Sequence, residues 1–198
     1  MKFMKPSKMN GTRWIPHLYR ALGILLKKEN YKLYCKHFEN IIMSRSGGAN
    51  CQGRVKKIVK FLKNEKLMHY MHFLLDVLEV VSELSLEYQN DSTSLPDVFE
   101  ALDVAMTKLI ALKQRPGRHL ESFIDGTGSQ LTFHGVKLNK SDLKKEKIIE
   151  KENSLLLSVM DHISGNTNRQ MTDLINFQCY INMPLYILLH YCLNYSKS

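Results

Sequence analysis

The sequence predicts an all-α fold, a helical bundle of about six to seven helices. Apolar residues recur at helical spacing over most of the chain, and turn-forming clusters cut that pattern into segments of helix length. A length of 198 residues with 44% hydrophobic content suffices for one buried core.

The first helix is expected from Pro16, with Leu18, Leu22, Leu25 and Leu26 on one face. The pattern weakens near Asn30 and resumes through Leu33, Phe38, Ile41 and Ile42. Ser44 to Asn50, with its Gly-Gly pair, is a break. From Arg54 to Lys63 the chain is amphipathic. Val55, Ile58, Val59 and Leu62 form a stripe, and Lys56, Lys57, Lys60 and Lys63 lie largely off it.

A long helix is expected from Glu65 to Gln89, carried by Leu67, Met71, Leu74, Leu78, Val81, Leu84 and Tyr88. Asn90 to Ser94 is turn-like. Ser94 is placed to cap a helix with Pro96 and Asp97 in its first turn and Leu95, Val98, Leu102, Ala105, Leu109 and Leu112 towards a core. That helix stops before Pro116-Gly117. His119–Ile124 is a short helical piece, Asp125–Ser129 a loop, and Leu131–Val136 a short extended segment. Ser141 opens a last helix carrying Ile148, Ile149, Leu155, Leu156, Val159, Met160 and Ile163, and Gly165-Asn166 ends it. Residues 1–14 precede the helical domain, 15–164 form it, and 165–198 make a tail of different character. The tail is apolar and nearly uncharged from Leu174 to Tyr195. Asn176, Gln178, Pro184 and His190 interrupt it well short of the ~20 apolar residues a membrane span needs, so a membrane partner is disfavoured.

The net charge of +9 conceals a separation along the chain. Residues 1–66 carry 16 Lys/Arg against Glu29, Glu39 and Glu65, whereas residues 76–103 carry eight acids and no Lys or Arg. A basic third of this kind holds a polyanion or packs against the acidic stretch of the same molecule. The four cysteines (Cys35, Cys51, Cys179, Cys192) have no CxxC spacing and are too sparse for a disulfide scaffold. With no apolar signal segment at the N-terminus, the expectation is a nuclear or cytoplasmic protein that is not secreted.

Few residues point towards chemistry. Glu65, His69, His72 and Asp76 fall on one helical stripe, but without an HExxH signature they read as the solvent side of a long helix rather than a zinc site. The acids of 76–103 likewise read as a solvated face with like-charge pairs such as Glu79–Glu83 and Glu83–Glu87. Cys35-Lys36-His37 lacks finger spacing, and Gly126-Thr127-Gly128 lacks the strand and helix start of a phosphate loop. Gly11-Thr12-Arg13-Trp14-Ile15-Pro16 is different. A cation beside the only tryptophan, ahead of a helix-opening proline, offers a phosphate contact and a stacking plate together. Its bland reading is a packing residue with a solvated neighbour.

The run from Gly11 to Leu22 resembles hAT-superfamily transposase-derived proteins, in particular those called zinc finger protein 862-like. Phe73–Leu86 looks like the family's long helix, and Leu112–Leu120 like the exit of its next helix, in the same order. The resemblance runs from about Lys5 to about Ile163. It implies the all-helical insertion of an RNase H-like transposase core, with Arg-Trp where the core chain enters the insertion. Active relatives bind divalent metal through an acidic triad. Two of its members precede the Arg-Trp motif, where this chain has about a dozen residues, and no match to the third is found. The chain therefore reads as an excised insertion region with an unrelated end and no catalytic residues.

The resulting expectation is a non-catalytic module with no cofactor, metal or small-molecule substrate. It binds DNA in a salt-sensitive way through Arg13, Trp14, Arg54, Lys56, Lys57, Lys60 and Lys63. The alternative is a protein-interaction or self-association module working through Asp76, Glu79, Glu83 and Glu87. A third reading is a truncated remnant without selected activity.

Overall fold

The computed structural model describes residues 14–45, 47–128, 130–140 and 145–164, with the backbone alone at 14 and 145. Seven helices and one two-stranded hairpin lie among them. They are α1 (Trp14–Leu26), α2 (Lys28–Met43), α3 (Ala49–Leu62), α4 (Glu65–Glu87), α5 (Leu95–Gln114), α6 (Arg118–Thr127), β1 (Thr132–Phe133), β2 (Val136–Lys137) and α7 (Lys145–Ile163). The fold is all-α, as the periodicity predicts.

Helix α4 is the centre. From Met68 to Leu78 all its residues but His69 are buried, on every side of the helix. A helix apolar all round must be enclosed by others, and α1, α3, α5, α6 and α7 all pack on it. Asn64 starts it, its side-chain oxygen accepting from the N–H groups of Lys66 and Leu67, both at 3.1 Å. At α5 Ser94 and Asp97 are joined as expected of a cap, with the Ser94 N–H and hydroxyl both donating to the Asp97 carboxylate, but Leu95, expected towards the core, is 69% exposed in the first turn. Helices α2 and α3 form a helical hairpin joined at the predicted Gly-Gly break.

Several boundaries differ from the sequence expectation. The first helix begins at Trp14, two residues before Pro16. The pattern that weakens near Asn30 is interrupted at Lys27, whose extended backbone separates α1 from α2 (ψ 136°). Helix α3 begins at Ala49, and α6 runs on through Asp125 to Thr127, where a loop was expected. Gly128, at φ +53°, ends α6. The predicted extended segment is the β1–β2 hairpin. Its turn residues, His134 at φ +50° and Gly135 at φ +79°, suit a two-residue loop with both φ values positive. Ser141, Cys179, Cys192 and the tail 165–198 lie outside the described residues.

The hairpin and α6 close the core around one histidine. His72 is 5% exposed, stacks on Phe123 of α6 at 4.6 Å and meets Phe133 of β1 edge-on at 5.0 Å. Its Nδ1 lies 2.7 Å from the Met68 carbonyl, so Nδ1 carries the proton and donates. The Glu65–Asp76 stripe is therefore not the solvent side of α4: His72 and Asp76 are buried within it. Desolvation pushes the His72 ring down to about 4 from an ordinary 6.5.

Below pH 6.5 the unfolded chain takes up a proton that the folded ring refuses. Stability is thus undiminished by His72 above about pH 6.5 and falls as pH drops towards about 4. Urea titrations should lose about 2 kcal/mol between about pH 7 and pH 5. His72→Phe should flatten that part of the profile; an equal loss in the variant would assign the effect to other groups.

Candidate nucleic-acid interface and the acidic helices

Two helical stripes of equal spacing build a basic surface. On α2, Lys32, Lys36 and Glu39 follow at i, i+4 and i+7; on α3, Lys56, Lys60 and Lys63 do the same. Lys63 and Glu39 are ion-paired, Gln52 donates to the Ile41 carbonyl and the Tyr31 hydroxyl to the Leu62 carbonyl, both at 2.9 Å, so the helices are antiparallel and the stripes run side by side. Lys32 and Lys36 of α2 thus lie at the level of the α3 stretch that holds Lys56 and Lys60. The exposed Lys32, Lys36, Lys56 and Lys60 form a band across the two helices, each lysine pair spanning about 6 Å at 1.5 Å rise per residue.

The predicted basic residues are only partly gathered there. Lys56 and Lys60 lie in the band. Arg54 and Lys57 are exposed on the other flank of α3, and Lys63 is drawn into its pair with Glu39. Arg13 lies outside the described residues, and Trp14 is described only as the backbone that starts α1. Sequence reading passed over Lys32 and Lys36. Their i, i+4 spacing, continued back to Lys28, is a signal, diluted by Glu29 and Glu39 on the same helix.

The acidic residues divide in two. Asp76, 3% exposed, is not a surface contact: it caps α6 from inside the bundle. Its oxygens accept from the N–H groups of His119 at 2.9 Å and Leu120 at 3.0 Å, donors that no side chain at the α6 N-cap, Gly117, satisfies. Burial pushes the Asp76 carboxyl above the usual carboxylate range, and the two N–H donors pull part of that back. A methyl group at Gly117 would sit 2.3 Å from Asp76 Cγ, so only glycine admits the carboxylate this close.

Glu79 joins the same knot. Tyr19 of α1 donates to it at 3.1 Å, and Arg118 of α6 donates through Nε at 3.0 Å and through a second nitrogen. His119 Nε2 lies 3.7 Å from the carboxylate. One donor atom each from Asp76, Glu79 and His119 falls within 4.8 Å of the others, the spacing of a cation site. A cation would have to compete with Arg118 for Glu79 and would face the positive end of α6 beside Asp76. The geometry favours a knot joining three helices.

Glu83 and Glu87 lie further along α4. Glu83 is exposed and pairs with Lys108 of α5 at 2.7 Å; Glu87 accepts from the Thr93 hydroxyl at 2.9 Å. Among the described residues no ion pair joins the basic helices α2 and α3 to the acidic ones. Cys35, beside the exposed Lys36 and His37, is buried, and burial pushes its thiol up to about 11, far from a reactive thiolate.

No protein-family model matches the chain, and no solved structure matches its fold.

Asp76→Ala should cost about 2–3 kcal/mol in urea unfolding, because it strands two buried N–H donors. Gly117→Ala should cost about 1–3 kcal/mol by overpacking, and less in the Asp76→Ala background, where Cγ and Oδ1 are gone. A neutral Gly117→Ala would show that the carboxylate does not seat against the helix start.

Proposed function

We propose that this chain is a non-catalytic, nucleic-acid-binding helical module of hAT transposase descent, acting in the nucleus on DNA through the outer face of α2 and α3. The observation that carries this reading is the basic band. Its lysines are exposed and unpaired among the described residues, where no ion pair joins them to the acidic stretch and Glu79 and Glu83 pair with α6 and α5 instead. Without an internal counter-charge, the band is available to an external polyanion.

The descent rests on the resemblance of the three sequence stretches. It is supported by their arrangement, since they fall on α1, on α4 and at the α5–α6 junction, and both α1 and α6 pack on α4. A binding role without catalysis fits the carboxylates. Asp76 and Glu79 are occupied by α6 and Arg118, and Glu83 by Lys108. Two-metal phosphoryl transfer needs carboxylates converging on ions a few ångströms apart.

Binding to a short DNA duplex, followed by fluorescence anisotropy across a salt series, tests the band. Lys56→Gln with Lys60→Gln should lower the slope of log affinity against log salt by about 1.8, at about 0.9 for each lost phosphate contact. An unchanged slope would remove the band from the interface. Trp14→Ala should leave the slope intact while weakening binding to ends with unpaired bases by about 1–3 kcal/mol. Equal affinity for frayed and blunt ends in wild type and variant would rule out base stacking by Trp14.

A further inference from the structure

We infer that the groove between α4 and α5 is a docking site for a basic amphipathic helix of a partner protein. The groove has a volume of about 380 Å³. Its floor is apolar, formed by Val80 and Leu84 of α4 and Ala101 and Ala105 of α5, and the alanines are too short to fill the space between the helices. At its lip Val104 is 47% exposed.

Both walls are acidic. Glu83 and Glu87 stand one turn apart on α4, and Asp97 and Glu100 stand on α5. Among the described residues the one cation lining the groove is Lys108, already hydrogen-bonded to Glu83. An occupant must therefore bring apolar side chains for the floor and cations for both walls. A helix with an apolar stripe flanked by lysines or arginines meets both demands.

Nucleic acid is repelled by these walls. A second copy of this chain fits less well. Its exposed cations on α2 and α3 would meet the walls, but the residues between them along those stripes offer no apolar side chain for the floor. This inference does not depend on DNA binding: it uses a different pair of helices, and either surface can fail its test while the other passes.

The probe is a labelled synthetic peptide of about 14 residues, leucines on one helical face and lysines on the rest, with a counterpart in which every lysine is glutamate. Anisotropy with the full chain should show the lysine peptide binding about tenfold or more tighter than the glutamate peptide. Glu87→Gln with Glu100→Gln should weaken the lysine peptide at least about fivefold, and Val104→Asp should weaken it further at constant salt. Glu87→Lys with Glu100→Lys should invert the preference between the two peptides. Circular dichroism confirms that each variant retains its helix content. Equal binding of the lysine peptide to wild type and the Gln variant overturns the proposal. So does a dimer in sedimentation that the same Gln substitutions dissolve, because the groove would then belong to a second copy.

Discussion

The bundle depends on a carboxylate placed where carboxylates are rarely tolerated. Asp76 sits inside the wall of α4, and burying a charge is costly unless donors replace its water. Here the donors are the first free N–H groups of α6, which would themselves be costly to bury unpaired. Each liability satisfies the other, and the positive end of the α6 dipole adds to the attraction. The arrangement demands glycine at 117, since any side chain there would occupy the space of the carboxylate. It also fixes the rest of α6. With the helix start anchored, Arg118 reaches Glu79, and Phe123, about one and a half turns on, lies flat against His72.

From that anchor the core closes in sequence. His72 and Phe123 present a surface on which Phe133 of the β-hairpin packs, and Phe133 in turn meets Tyr31 of α2 edge-on at 5.4 Å. The Tyr31 hydroxyl donates to the Leu62 carbonyl at the end of α3. Just beyond the hairpin, Asn139 bonds to Lys63 and Glu65 at the α3–α4 junction. The basic hairpin α2–α3 is thus tied to the centre through aromatic and backbone contacts rather than through its charges, and its lysines remain on the outside.

Most of the helices were legible in the sequence because their signals are local: apolar spacing, the Ser94 cap, the Gly-Gly break and Pro116. What was illegible is non-local. The Asp76 cap joins residues 43 and 44 positions apart, and a histidine and an aspartate at i and i+4 on a long helix look the same whether they face water or a neighbour. One trace existed: α6 follows Pro116-Gly117 with no Ser, Thr, Asp or Asn at its start, so the missing acceptor had to come from elsewhere. The extension of α6 to Thr127 was hidden for a related reason. Asp125, Gly126 and Thr127 favour turns, but burial of Phe123 and the hydrogen bond from the Thr127 hydroxyl to its carbonyl hold the last turn helical. The basic band was half legible. Its α3 part was plain, while its α2 part becomes visible only once Glu39 is seen to be spent on Lys63.

The two helix pairs that define the surface, α2–α3 and α4–α5, differ in how their seams close, and that difference decides what each can do. Between α2 and α3 the outer seam is bridged by long side chains, Glu39 with Lys63 and Gln52 with a backbone carbonyl. The result is a polar surface whose remaining lysines are exposed, the kind of surface that a charged partner would recognise. Between α4 and α5 the outer seam meets at Ala101 and Ala105, whose side chains cannot span it, and among the described residues the single bridge is Lys108 to Glu83. A trough remains, apolar below and acidic above, suited to a partner that inserts side chains. Charge segregation along the sequence therefore becomes segregation of shape as well as of sign, because the basic seam is filled and the acidic seam is left open.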